Sequence, residues 1–256
     1  MSTAAGAADG VLVLPVGRLP EVSEGMALGE LIAARVALEP GDIVVISQKA
    51  VSKAEGRVRS LSSVAPGAEA RRLAEAHGKD PALVELILSE SRELLRAERG
   101  VLITETRHGF VCANAGIDSS NLPQAGTVCL LPEDPDASAR RIRAELRAAS
   151  GLDPLATIVA DSFGRAWRLG QAEVAIGCAG IVALDDWRGR ADTAGRPLEA
   201  TAIAIADEAA AAADLVRDKA SRVPAALVRG LGRHVTDEDG PGAAALRRPA
   251  GEDLFR

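Results

Sequence analysis

Apolar residues along this chain fall into short continuous runs and helical repeats, and the switch between the two rhythms predicts its elements. Val11 to Val16 reads as a strand, closed by Pro15 and Gly17. It follows a small, polar stretch, Met1 to Gly10, expected to be a flexible leader. Met26 to Val36 carries apolar residues at helical spacing and stops before Glu39-Pro40-Gly41. Asp42 to Ser47 (DIVVIS) is a continuous β-branched run of the kind a sheet buries on both faces. Two helices are predicted next, Ala68 to His77 and Pro81 to Arg99, separated by Gly78-Lys79-Asp80.

Further along, Val101 to Thr104 and Phe110 to Ala113 read as short strands around Arg107-His108-Gly109, and Thr127 to Leu131 as another. Asp136 is the expected N-cap of an Arg-rich amphipathic helix, Ala137 to Ala149. Ala156 to Ala160 is a buried-looking strand that delivers Asp161 at its C-terminal end. Ala202 to Ala206 reads as a strand giving way to a helix from Asp207 to Lys219, and Ala225 to Arg229 as a late strand. There is no regular βαβ period and no internal repeat. The pattern predicts an α+β protein of mixed α/β character, with residues 11–256 forming one large domain or two small lobes.

Composition removes several classes of function. Hydrophobic residues are 47% of the chain and charged residues 26%, the mix of an ordinary soluble protein. Aromatics are 2%, with no Tyr, and the net charge is −6, so neither a base-stacking surface nor a polyanion binder is expected. Alanine fills about a fifth of the chain, which favours close-packed helices. No apolar stretch is long enough for a membrane span: Ala200 to Val216 is broken by Asp207, Glu208 and Asp214. The N-terminus has no basic segment leading an apolar core, so no signal peptide is read and the cytoplasm is the expected compartment. Cys112, Cys129 and Cys178 are odd in number and widely spaced, which fits small hydrophobes better than a disulfide or a zinc site.

The common nucleotide and hydrolase signatures do not occur. There is no GxxxxGK[ST] loop, HExxH or GxSxG, and Gly230-Leu231-Gly232 lacks the third glycine of a dinucleotide fingerprint. Two acidic segments stand out instead, Asn114 to Asn121 around Asp118, and Asp161 to Arg165 after the Ala156 strand. Carboxylates beside small polar residues suit Mg²⁺ or Mn²⁺, which take oxygen ligands and leave room for phosphates. The plainer reading is that both aspartates cap turns or helices. Lys49 and Lys53, four residues apart, would share one helix face and hold phosphate, or merely form a solvated basic face. Arg165 and Arg168 around Trp167 are either an anion clamp or surface charges, and His108 is either catalytic or structural.

Several longer blocks converge on one family. Leu14-Pro15, Leu19-Pro20-Glu21, ISQKAVSKAEGR from Ile46 and ITETRHGFVCANAGIDSSN from Ile103 occur in order. LLPEDPDASA from Leu130, ADSFGRAWRLGQAEVAIGCAG from Ala160 and ADEAAAAADLVRDKA from Ala206 follow. With these blocks the chain resembles the coenzyme F420-0:L-glutamate ligases, the γ-glutamyl ligases of deazaflavin coenzyme biosynthesis. The resemblance implies an F420 ligase-like fold and GTP-dependent amide formation between L-glutamate and coenzyme F420-0 through an acyl phosphate. It implies Mg²⁺ or Mn²⁺, with K⁺ as a further candidate ion, and a homodimer.

Carried over by that resemblance, Asp118 and Asp161 are the metal carboxylates and Ser162 supplies an oxygen. Leu19, Pro20, Glu21, Val22, Gln48, Lys49, Lys53, Asn121 and Lys219 belong to the GTP site. No residue is assigned as general base. Ser162 stands where many relatives have Thr, which keeps the oxygen. Lys219 stands where some relatives have an amide, and as a cation it is expected to reach phosphate rather than metal. Some relatives carry a further nitroreductase-like domain; with the chain ending at Arg256, that activity is expected to be absent. With so few aromatics, a bound ring is expected to be held by aliphatic contacts and backbone. The rival enzyme reading is a metal-dependent phosphohydrolase using the same two aspartates, and the non-enzymatic one is a nucleotide-binding scaffold.

Overall fold

The computed structural model describes residues 10–17, 19–122, 124–217 and 222–254. The architecture is α+β, as the pattern predicts, and is organised by a five-stranded sheet. Its strands are β1 (Leu12–Val16), β2 (Ile43–Ser47), β8 (Ala156–Arg165), β9 (Arg168–Ala179) and β12 (Ala225–Arg229). They lie in the order β1-β12-β2-β8-β9. β2 runs parallel to β8 and the other neighbours are antiparallel.

Both faces of this sheet are covered, which is why DIVVIS carries no polar alternation. On one face α1 (Leu28–Ala33), α2 (Gln48–Ala54) and α5 (Pro135–Ser150) bury Leu28, Ile32, Val51, Ile142 and Leu146 against Val44, Ile46 and Leu227. On the other, α6 (Ile205–Asp214) lays Ala206, Ala209, Ala210 and Ala213 on Ile43, Val45 and Ile158. The alanine-rich stretch is therefore a close-packed helix face, where small side chains let helix and sheet approach.

A separate core forms a second lobe. α3 (Ala68–His77) and α4 (Pro81–Ser89) pack Leu73, Val84 and Ile87 on Leu102 and Ala115. They lie beside a three-stranded sheet of β4 (Ser91–Glu98), β5 (Val101–Thr106) and β6 (Val111–Ala113). A two-stranded pair, β3 (Val58–Ser60) with β7 (Thr127–Cys129), carries the chain between the lobes, and β10 (Asp185–Asp186) pairs with β11 (Ala202–Ile203). Among the described residues no helix is long and apolar enough to cross a membrane.

The structure corrects several expected boundaries. The helix expected over Pro81 to Arg99 stops at Ser89, and Ser91–Glu98 is strand β4. The cause is a tight turn: Arg99 and Gly100 both take positive φ (50° and 77°), the pairing a two-residue hairpin requires, and β5 then zips back along β4. Asp134, not Asp136, caps α5, its carboxylate accepting the Ala137 N–H at 2.9 Å with Pro135 at the first helical position. Asp136 instead ties the helix to its neighbours, accepting the N–H of Cys178 at 2.9 Å and of Ala243 at 2.7 Å. The Ala156 strand runs on to Arg165, so Asp161 lies within a long hairpin with β9 rather than in a loop after a strand. The strand expected at Ala202 to Ala206 is only Ala202–Ile203, and the helix after it ends at Asp214.

Helix α5 meets β9 backbone to backbone at Gly177. A Cβ there would come within 2.1 Å of the Pro135 carbonyl oxygen. Gly177→Ala is expected to destabilise the protein by about 1–3 kcal/mol, read as a lower Tm. An unchanged Tm would show that α5 does not start directly on β9.

Candidate functional site

The register of the main sheet gathers five segments at one edge. Ser47 pairs with Ala160 across the parallel β2/β8 pair, so the residues that follow, Gln48 onward in α2 and Asp161-Ser162 in β8, emerge side by side. The carboxyl ends of parallel strands are where such sheets open a crevice. Val16 pairs with Ala225, and the Ser47 N–H donates to the Pro224 carbonyl at 2.8 Å. Those contacts bring the segment after β1 and the segment before β12 to the same place. Glu173 on β9 stands directly opposite Ser162.

A cavity of about 700 Å³ opens there. Leu19, Pro20, Glu21 and Val22 line it from the segment after β1, and Gln48, Lys49 and Lys53 from α2. Asp118 and Asn121 line it from the loop before β7, and Asp161 and Ser162 from the hairpin. Lys219 lies outside the described residues. The apolar lining comes from residues such as Leu19, Val22, Ala50 and Val223, with no aromatic side chain among the described residues.

The loop carrying Asp118 is shaped by a left-handed turn. Asn114, Ala115 and Gly116 take φ of 53°, 53° and 70°, and Ala115 is buried in that conformation. Only the surrounding packing makes so unfavourable a backbone persist for alanine. Asp118 is then fixed by Cys129, exchanging N–H···O bonds of 3.1 Å and 2.8 Å. Its carboxylate accepts the Ser120 N–H at 2.6 Å and the Ser120 hydroxyl at 3.0 Å, and pairs with the Lys49 ammonium at 2.7 Å. Burial pulls the Asp118 carboxyl upward, but the bonds from Lys49 and Ser120 outweigh it and hold the group below its ordinary range.

Lys49 and Lys53 do share one helix face, as their spacing predicts. Lys49 also donates to the Ser120 carbonyl at 2.7 Å, and Lys53 pairs with Glu21 at 2.6 Å and reaches the Asn121 carbonyl at 3.3 Å. Gln48 is turned inward: its amide nitrogen donates to Ser52 Oγ at 2.8 Å and the Leu130 carbonyl at 3.0 Å. Both of its donors are thereby committed to the protein.

The cavity floor is acidic. Asp161 is half-buried, and desolvation, then the negative charges of Glu173 and Asp118, push its carboxyl from 3.8 to about 7. The Ser162 N–H bond and the charge of Lys49 only partly oppose this. Ser162 Oγ donates to Glu173 Oε1 at 2.8 Å, and Arg217 donates to Glu173 Oε2 at 3.2 Å. Glu173 and Arg217 were not among the residues expected from the sequence. Counting back from the turn at Ala166-Trp167 would set Ser162 opposite Gln171. A register irregularity between Gly164 and Arg165 moves Glu173 into that place instead. The signal that could have found it is Gly170, whose φ of 84° lies within the irregularity.

Other candidates fall away from the site. The Arg165 guanidinium donates to the carbonyls of Leu169 and Gly170 at the hairpin tip, and neither Arg165 nor Arg168 lines the cavity. His108 is structural: Nε2 donates to the carbonyls of Pro132 at 2.9 Å and Glu133 at 3.1 Å, and burial lowers its pKa. The three cysteines are buried and free.

These donors fit a hard divalent cation in kind. Asp118, Asp161 and the Ser162 hydroxyl are oxygen donors, and the crowding that hinders Asp161 from ionising is what a cation relieves. Among the described residues no group of three or more His, Cys, Asp or Glu side chains could hold an ion by itself. Water and phosphate oxygens would have to complete the shell, the usual way Mg²⁺ is held.

Set beside known proteins, this two-lobed fold with an oxygen-donor cavity falls in a ligase family. A family model described as F420-0:Gamma-glutamyl ligase matches residues 17–230. A Methanothermobacter thermautotrophicus protein named Coenzyme F420:L-glutamate ligase is 45% identical over 253 residues, 96% of this chain and 99% of that relative. Proteins of the same name are similar too, one from Methanopyrus kandleri at 45% identity over 94% of this chain and 96% of its own length. Another, from Haloarcula marismortui, is 44% identical over 85% and 86% respectively. The chain belongs to the F420-0:gamma-glutamyl ligase family, the one its motifs resemble.

The raised carboxyl of Asp161 has a consequence for stability. The folded protein holds that proton more tightly than the unfolded chain does, so the contribution is present below pH 4 and is lost as pH rises through about 7. Asp161→Asn removes the crowded charge. In metal-free protein it is expected to raise Tm most at pH 8, less at pH 5, and hardly at all below pH 4. A lower Tm at pH 8 would contradict the crowding of charge around Asp161.

Proposed function

We propose that this protein is a GTP-dependent ligase that joins L-glutamate to coenzyme F420-0, or to F420 already carrying glutamates, in coenzyme F420 biosynthesis. The carrying observation is the convergence, on one cavity, of Asp118, Asp161 and Ser162 with Lys49 and Lys53 in a chain of this family. Relatives named Coenzyme F420:L-glutamate ligase supply the two substrates of the reading. GTP and guanine selectivity come from the family resemblance.

The chemistry asks for what the cavity offers. A carboxylate is a poor acyl donor, so a carboxylate oxygen of the acceptor attacks the γ-phosphorus of GTP and GDP leaves. The glutamate amine then attacks the acyl carbon, phosphate leaves, and the nitrogen gives up a proton. Both steps crowd anions together, and fixed positive charge stabilises that crowding best where water is excluded. Lys49 and Lys53 lie where phosphates would enter, and their present partners, Asp118 and Glu21, are charges that a bound phosphate would compete with. A bound Mg²⁺ or Mn²⁺ supplies further neutralisation of phosphate oxygens. Asp118, Asp161 and Ser162 are the groups that would hold it.

Two copies per assembly complete the reading. The outer end of the β8–β9 hairpin leaves Trp167 74% and Leu169 97% exposed, and a bare two-stranded arm is only marginally stable. Sedimentation is expected to show a dimer that Leu169→Glu weakens; a monomeric parent protein would remove this part.

Mixing protein, GTP, Mg²⁺ or Mn²⁺, L-glutamate and coenzyme F420-0, then weighing the products, tests the function. The expected product carries added glutamate, and Asp118→Asn and Asp161→Asn are each expected to lower its rate by about 100-fold or more while remaining folded. GTP turnover without glutamate incorporation would support a phosphohydrolase instead. Retained GTP binding without turnover would support a scaffold, and full activity in either variant would sink the metal assignment.

A further inference from the structure

Glu173 has no part in the chemistry set out above, yet it is buried at the cavity floor, directly across the ladder from Ser162. One of its oxygens accepts the Ser162 hydroxyl at 2.8 Å, and the other accepts Arg217 at 3.2 Å. The Arg217 side chain is itself only 5% exposed. A hydroxyl oxygen can hold a cation only through a lone pair, and so only when its hydrogen points elsewhere. A carboxylate accepts and cannot donate. The Ser162 hydrogen is therefore committed to Glu173, which leaves the serine lone pairs for the cavity.

The geometry points to Glu173 as a positioning residue that aims the Ser162 oxygen at a divalent cation, with Arg217 holding the far carboxylate oxygen in place. This rests on the cation site of the ligase reading and adds a residue to it. The arrangement makes an unusual demand on substitutions, because guanidinium can only donate. In Glu173→Gln the amide oxygen must face Arg217, which turns the amide NH₂ toward Ser162. The hydrogen bond then reverses: Ser162 accepts, one of its two lone pairs is consumed, and its hydrogen, no longer held by Glu173, competes with the remaining lone pair for the cavity side.

Mn²⁺ alone, titrated into the full-length protein and followed by the loss of the free-ion EPR signal, tests this without any turnover. Removing a group that orients a metal ligand typically weakens affinity about 10–100-fold, and that loss is expected for Glu173→Gln. Glu173→Gln/Arg217→Met frees the amide to turn its oxygen back to Ser162, and its Mn²⁺ affinity is expected to return close to that of the parent protein. Glu173→Met/Arg217→Met has the same net charge but no acceptor, and is expected to stay about 10–100-fold weak. Neither double variant leaves a buried charge unpaired, so both remain informative if the single variant fails to fold; thermal melts confirm folding in each.

Equal affinity of the two double variants, or parent-like binding by Glu173→Gln, would overturn the positioning role while leaving the ligase reading intact. A parent protein that binds no Mn²⁺, either alone or with a non-hydrolysable GTP analogue present, would overturn the cation site and the positioning role with it.

Discussion

The parallel pairing of Ser47 with Ala160 sets the start of α2 beside Asp161 and Ser162, and the other described candidate groups gather around that junction. Register in a buried strand pair is strongly specified, because a slip of one residue would turn each side chain to the opposite face. Here both strands are buried on both faces, so packing on α5 and on α6 enforces the same alignment from two sides. Once it is set, α2 begins beside Asp161, β12 begins beside the start of α2, and the chain leaving β1 passes over the same edge. The cavity is a consequence of strand ends, not of a dedicated binding domain.

The second constraint is charge. A protein of net charge −6 gathers Asp118, Asp161 and Glu173 around one cavity, a concentration that costs stability unless it is offset. The offset is uneven. Asp118 has Lys49 and two bonds from Ser120 and lies below its ordinary range; Glu173 has Arg217; Asp161 has only the Ser162 N–H and a more distant Lys49 and is driven up to about 7. The structure therefore stores its electrostatic debt on one carboxylate at the floor of the cavity. A site that must accept a cation and phosphates gains from such an imbalance, and sites of this kind commonly trade stability for function.

Much of this was legible in residue types, and the rest depended on pairing. The spacing of Lys49 and Lys53 foretold a shared helix face, and the runs DIVVIS and Ala156 to Ala160 foretold central strands, because burial on both faces writes itself into composition. Motif blocks carried Leu19 to Val22, Gln48, Asp118, Asn121, Asp161 and Ser162 to what proves to be one cavity. Strand β4 was unreadable locally, since Arg92, Glu93, Arg96 and Glu98 suit a helix and only pairing with β5 makes them a strand. Glu173 was hard to read for a different reason: its position opposite Ser162 depends on an irregularity around Gly170, and a glycine marks where a strand can bulge without giving the size of the register shift.

The most direct test of the account is to locate the cation. Crystals grown with Mn²⁺ and a non-hydrolysable GTP analogue, measured at a wavelength where Mn²⁺ scatters anomalously, would show its position without assumption. The account predicts an anomalous peak within coordination distance, about 2.0–2.6 Å, of carboxylate oxygens of both Asp118 and Asp161. A fully occupied peak elsewhere, with Lys49 still paired to Asp118 and Asp161 touching no ion, would contradict it.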